Sequence, residues 1–157
     1  GIQVWTTLRT EAPILVVSDI RLNMERLDPA QPLTALLEIK NTGKTAAFIT
    51  EFRQLLITDK ILSDGLQPRN AGVRGAVSPG EVRHIELDFG KPPDLDSAMV
   101  NNGTLRLWIL GSIVYSNRLS FLAGTNKTGF CFFYDPSRGR GSDSFYHCQR
   151  PEYEYND

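Results

Sequence analysis

What most constrains this chain is the near absence of helical periodicity across its 157 residues. Apolar residues recur at every second position, in short segments closed by Gly, Pro and Asn, and a chain patterned this way buries one face of a sheet against another. Residues 12–22 are rich in β-branched side chains. Toward the end of that segment Ser18, Ile20 and Leu22 share one face and Asp19 and Arg21 the other. In the next segment Leu33, Ala35, Leu37 and Ile39 alternate with Thr34, Leu36, Glu38 and Lys40, so one side reads as core and the other as mostly solvent. Asn41-Thr42-Gly43-Lys44 is a turn by residue type, followed by a long, less regular strand over residues 45–58.

Between Asp59 and Ser78 the glycines and Pro68 break any period, which predicts loops and one short edge strand. Ser78-Pro79-Gly80-Glu81 then opens an alternating segment, residues 82–89, with Ile85, Leu87 and Phe89 opposite His84, Glu86 and Asp88. Residues 95–100 are the one stretch that suits a helical turn, too short to stand alone. Residues 104–115 form the longest predicted strand. It is apolar on both faces for several residues, so it is expected to be central and covered on both sides, with Trp108 in the core.

These elements predict one all-β domain over residues 1–157, an antiparallel β-sandwich, with a polar tail at residues 150–157 that frays unless Tyr153 and Tyr155 dock. Hydrophobic residues make up 41% and charged residues 22%, which suits a folded domain and argues against disorder. Seventeen Lys+Arg against eighteen Asp+Glu leave a net charge of −1. That supplies no basic field for a phosphate backbone, so nucleic acid is not expected as a main partner. No apolar run reaches the roughly 18–20 residues of a membrane span. The opening Gly1-Ile2-Gln3 reads as the edge of a longer chain, which leaves room for an anchor upstream.

The two cysteines, Cys131 and Cys148, lie in aromatic runs that flank a Pro/Gly/Ser loop, the pattern of a hairpin. If Asp135 faces Ser144 across that loop, counting back along both strands brings Cys131 directly opposite Cys148. Opposed residues approach closely enough for a disulfide. The alternative is a pair of reduced cysteines serving as small hydrophobes.

Two motifs stand in order, Asn41-Thr42-Gly43 after one strand and Pro79-Gly80-Glu81 before another, and this pattern resembles bacterial immunoglobulin-like modules. In such modules Gly43 would supply positive φ after strand B, and Pro79-Gly80 would make the turn into strand E. Ile113-Val114-Tyr115, followed by Thr128-Gly129-Phe130-Cys131-Phe132 and a closing Cys148, further resembles the soluble domain of uncharacterised bacterial membrane-anchored proteins. The resemblance implies an immunoglobulin-like sandwich held at a membrane by a segment outside this chain. Orientation is set by loops flanking spans that are not in these residues, so the side of the membrane is left open, with a lean to the extracytoplasmic one. No cysteine stands on the proposed strand B, so an inter-sheet bridge of the antibody type is not expected.

Catalytic motifs are absent. There is no Gly-x-Ser-x-Gly elbow, and Gly139-Arg140-Gly141-Ser142 lacks the Lys and helix of a phosphate loop. Cys131 has only His84 and His147 as imidazole partners, and the predicted register sets His147 opposite Phe132. Cys131, His147, Cys148 and His84 make a poor zinc set because neighbouring strand residues point to opposite faces. The pairs Asp94/Asp96 and Asp19/Glu25 read as turn caps. No metal, cofactor or catalytic residue is therefore expected.

What remains is an aromatic cluster, Phe130, Phe132, Phe133, Tyr134, Phe145 and Tyr146, with rings on both faces of one hairpin. Either the tail tyrosines cover its outer face or that face is a binding patch. Phe133, Arg138, Arg140 and Tyr146 are the candidate contacts to a protein partner. A second reading is a small-ligand or nucleotide pocket between the sheets, lined by Trp108 and the hairpin aromatics. A third, a hydrolase or redox enzyme, rests on Cys131 and Cys148 alone.

Overall fold

The computed structural model describes residues 12–24, 27–58, 67–68, 75–92, 95–117, 124–136 and 145–156. Among these residues the strands are β1 (Leu15–Leu22), β2 (Thr34–Asn41), β3 (Ala47–Ile57), β4 (Gln67–Pro68), β5 (Ala76–Val77), β6 (Val82–Asp88), β7 (Leu107–Ser116), β8 (Asn126–Tyr134) and β9 (Phe145–His147). A five-residue helix, α1 (Ser97–Asn101), precedes β7. The chain is all-β, as the alternation requires. A three-stranded sheet has the order β1-β2-β6, and a six-stranded sheet has the order β4-β3-β7-β8-β9, with β5 also on β3. Both sheets are antiparallel, and their inner faces share one core in the manner of a β-sandwich.

The period-two pattern builds this core directly. Leu37, Ile39, Ile85 and Leu87 point inward from the small sheet to meet Phe52, Ile109, Ile113 and Phe130 from the large one. β1 departs from the simple pattern. Leu15 and Val17 are buried, and so are Ile20 and Leu22, because the register shifts between Val17 and Asp19. Ser18 is therefore exposed rather than on the face of Ile20, and its hydroxyl donates to the Glu38 side chain at 3.0 Å. A bulge of this kind reverses the inward phase without ending the strand.

β7 is central, between β3 and β8, as expected. Its inner face carries Leu107, Ile109, Ile113 and Tyr115, all at 0% exposure. Trp108 is not in this core. Alternation turns it to the outer face, where it is half-buried beside a small satellite cluster of Leu55, Leu110 and Cys131. Gly111 faces inward, and a Cβ there would collide with the Arg53 carbonyl and the Phe130 ring. Its bareness admits the Phe52–Phe130 ring pair, with centroids 5.9 Å apart.

The predicted helical turn is α1, which begins two residues later than expected and ends one residue later. The Asp96 carboxylate caps it by accepting from the Met99 amide at 3.1 Å. Asp94 and Glu25 lie outside the described residues. The segment expected to hold one edge strand contributes two, β4 and β5, both on β3.

The two turn motifs converge on one buried side chain, Asn41, at 0% exposure. Its Oδ1 accepts from the amides of Ile14 (3.3 Å) and Gly43 (2.9 Å), and its Nδ2 donates to the carbonyls of Thr45 (2.8 Å) and Val77 (2.9 Å). Its backbone carbonyl accepts from Gly80 at 2.7 Å and its amide donates to Glu81 at 3.2 Å. Gly80 has φ of +79°, as the Pro-Gly turn demands. Gly43 is required for another reason than the one expected. Its φ is not in the left-handed region; a Cβ there would instead run into the backbone of residues 12–14, which crosses directly over it.

Glu81 completes the second turn by accepting from the Ser78 amide at 3.0 Å and from Arg83 Nε at 3.0 Å. The Ser78 amide, assisted by Arg83 and opposed by desolvation, holds the Glu81 carboxyl below its ordinary value.

Asn41→Ala is expected to lower stability by about 3 kcal/mol, since it strips partners from several buried backbone groups. A urea titration with unchanged slope measures it. Glu81 contributes stability above its unfolded pKa of roughly 4.3 that is lost as pH falls through its lower folded value. Glu81→Gln should therefore show a smaller drop in Tm between neutral pH and about pH 3 than the parent chain, and an equal drop would deny Glu81 this role.

Candidate functional site

The last strands carry the candidate residues. β8 and β9 pair as Phe132↔His147, Phe133↔Tyr146 and Tyr134↔Phe145, the register that counting from the loop predicts. One step further the Cys148 amide donates to the Cys131 carbonyl at 3.1 Å, and the two residues form a disulfide with Cα atoms 5.4 Å apart. Both sulfurs are engaged in it, so neither cysteine offers a thiol.

Alternation divides the aromatic cluster in two. Phe130, Phe132, Tyr134 and Phe145 are buried in the core, while Phe133 and Tyr146 stand on the outer face, half-buried. Those two rings stack with centroids 5.0 Å apart and planes 12° apart. The Arg106 guanidinium lies over Phe133 at 4.9 Å and over Trp108 at 6.0 Å, so a cation spans the rings of β7 and β8. Arg138 and Arg140 lie outside the described residues. Arg106 is not among the residues that the sequence pattern singles out. A signal for it exists, because it stands two residues before Trp108 and shares that residue's face.

Residues 150–156, which composition alone reads as a fraying tail, are docked. Gln149 turns the chain with φ of +56°, and the amides of Tyr153 and Glu154 donate to the Arg150 carbonyl at 3.0 and 2.8 Å. The chain then returns to the free edge of β8, where the Gly129 amide donates to the Tyr155 carbonyl at 2.8 Å and Thr128 bridges to Asn156. Gly129 is bare because a Cβ would strike the Tyr153 carbonyl and the Tyr155 ring. Asn156 Nδ2 donates to the Leu15 carbonyl at 3.0 Å, and its Oδ1 accepts from the Tyr115 hydroxyl at 3.3 Å. The same carbonyl accepts from Thr128 at 2.8 Å, and the Leu15 amide donates to Tyr115 at 3.2 Å. The tail thereby ties the small sheet to the large one.

The docked tail covers part of the outer face and leaves part open. Between them is a cleft of about 240 Å³ lined by Ile57, Trp108, Leu110, the Cys131–Cys148 disulfide, Arg150 and Tyr153. Of the two alternatives for the outer face, Tyr155 covers Gly129, while Phe133, Tyr146 and Trp108 stay half-buried. Arg53 is paired with Glu51 at 2.7 Å, whereas neither Arg106 nor Arg150 has a carboxylate partner among the described residues.

The histidines are engaged elsewhere. His147 Nδ1 is 3.1 Å from Glu154, and His84 Nε2 is 3.3 Å from Glu38 on the small sheet. Among the described residues no cluster of His, Cys, Asp or Glu could hold a metal, and no helix is long and apolar enough to cross a membrane. The chemistry this arrangement offers is that of contact: stacked rings, an apolar recess and the guanidinium groups of Arg106 and Arg150. No family model, no curated protein and no solved structure matches the chain.

Replacing both Cys131 and Cys148 by Ser should cost about 3 kcal/mol on the loop-closure account for a bridge of this span. It should also raise hydrogen exchange at the Gly129 amide, which the tail covers. Alkylation under denaturing conditions, read by intact mass, should add nothing to the parent chain until a reductant is present.

Proposed function

We propose that this chain is an immunoglobulin-like β-sandwich acting as the non-enzymatic protein-interaction or sensor domain of a larger bacterial protein. That protein is anchored in a membrane by a segment upstream of this chain and presents the domain on the extracytoplasmic side. Recognition runs through the last hairpin, with Phe133, Tyr146, Arg138 and Arg140 as the contact residues. The observation that carries this reading is the Phe133–Tyr146 stack with Arg106 laid over Phe133 on the outer face of the large sheet. Half-buried aromatic rings beside an arginine are the residue types in which binding energy concentrates. Their strand neighbours Phe132 and Tyr134 are locked in the core, which holds the outer rings in place without further ordering on binding.

A disulfide in so small a domain accords with an oxidising compartment. The small-ligand reading moves from between the sheets to the outer face, because that is where Trp108 stands. Pockets that enclose a cofactor-sized molecule usually run to roughly 300–1,000 Å³. At about 240 Å³ this cleft suits a single side chain of a partner better than a nucleotide.

Cross-linking of the full-length protein in its own membrane tests the proposal. The Phe133→Ala/Tyr146→Ala pair and the Arg138→Glu/Arg140→Glu pair should each abolish the cross-linked partner, the first with a drop of a few degrees in a still cooperative melt and the second with the melting temperature nearly unchanged. A partner retained by both pairs would refute recognition through this hairpin.

A further inference from the structure

We infer that the cleft beside the Cys131–Cys148 disulfide is the docking point for an acidic segment of a partner polypeptide that inserts one bulky apolar side chain; the inference rests on the interaction reading above. The recess is built for an apolar group. Ile57, Trp108 and Leu110 line it together with the disulfide, and Tyr153 closes one side. Its volume of about 240 Å³ holds a large side chain and little more.

Charge selects the rest of the occupant. Arg150 lines the cleft itself, and Arg106 lies over Trp108, which also lines it. Neither guanidinium meets a carboxylate among the described residues, while the nearby Arg53 is already neutralised by Glu51 and Glu154 is engaged by His147. A guanidinium lying over aromatic rings keeps its edge N–H donors free, and those donors match a carboxylate bidentately. An apolar recess lined by Arg150 and with Arg106 over one of its rings fits a peptide in which Asp or Glu brackets a Phe or Leu. The floor is rigid, since it consists of the laddered central strands β7 and β8, with β8 also tied by the disulfide to the residue after β9, so little ordering is needed when the anchor enters.

The probe is a fluorescein-labelled Asp-Glu-Phe-Glu-Asp peptide with blocked ends, titrated against the whole chain and followed by anisotropy. Binding is expected at roughly tens of micromolar, with about tenfold loss when Phe is replaced by Ser or the acids by Lys. Arg106→Glu and Arg150→Glu should each weaken the acidic peptide at least about fivefold, by loss of a charge-assisted pair. Lys127→Glu, a charge change on the same face beside Tyr155, should alter binding less than about twofold. Equal binding of the acidic and lysine peptides, equal loss in all three variants, or no binding at millimolar peptide would overturn the inference. So would association with phosphatidylglycerol vesicles in place of the peptide, which assigns the arginines to a lipid surface. If the peptide fails while the cross-linked partner still depends on Phe133 and Tyr146, this inference falls and the interaction reading stands. If the peptide binds while the cross-linked partner is indifferent to Phe133 and Tyr146, the cleft stands as the docking point and recognition through the hairpin rings falls.

Discussion

A buried primary amide has two donors and two acceptor sites, and an interior that leaves any of them empty loses more than the amide contributes. Asn41 meets this condition by using all four on backbone groups, from the start of β1, from the turn it begins, and from β5. Its own backbone closes the turn into β6. An apolar residue there would take from the amides of Ile14 and Gly43 and the carbonyls of Thr45 and Val77 the partner that Asn41 gives them. The crossing is tight enough that Gly43 must be bare where residues 12–14 pass over it. The order of β1, β2, β5 and β6 at this end of the sandwich therefore depends on one side chain.

The start of β1 is where this knot meets a second one. Successive residues of a strand direct their backbone groups to opposite sides. Ile14 turns toward Asn41 and Thr42, and Leu15 turns toward Tyr115, Thr128 and Asn156. Adjacent residues are thus fastened to different partners, one within the small sheet and its turns, the other on the large sheet and the tail. The hydroxyl of Tyr115 and the amide of Asn156 act between the sheets, as the Asn41 side chain does where it reaches from β2 to β5 of the large sheet. Hydrophobic contact between two sheets is not directional; these polar groups supply the direction.

Much of this is legible in the sequence, and what is not legible has a common cause. Alternation in residues 33–40 and 82–89 locates β2 and β6, and cross-strand counting from Asp135 and Ser144 locates the disulfide, because both depend only on the period of a strand. Trp108 escapes the pattern because a strand apolar on both faces does not declare which face is the inner one. The phase change in β1 is hidden because a bulge adds a residue without a distinctive side chain. Gly43 looks like a residue chosen for backbone freedom, yet its constraint comes from a segment about thirty positions earlier in the chain. The docking of residues 150–156 is open in the sequence for the same reason. A tyrosine-rich polar tail docks only if a bare glycine receives it, and Gly129 becomes a receptor only once the register of β8 is known.

The outer face of β8 and β9 gains its character from that same alternation. Phe132 and Phe133 are adjacent, yet one is sealed in the core and the other stacks on Tyr146 at the surface. A substitution at an outer position changes what a partner meets and leaves the core packing as it is, whereas one at an inner position acts through stability. The disulfide extends this separation to the tail. By joining Cys148 to β8 it fixes where the chain leaves β9, and so where Arg150 and Tyr153 stand relative to Trp108 and Leu110. Without that covalent link the tail would be held to β8 and β1 by a few hydrogen bonds at residues 155 and 156, each worth only about 1 kcal/mol net. A cleft formed between a rigid sheet and a tail is only as well defined as the tail's attachment, and here the attachment point is one of the cleft's own walls.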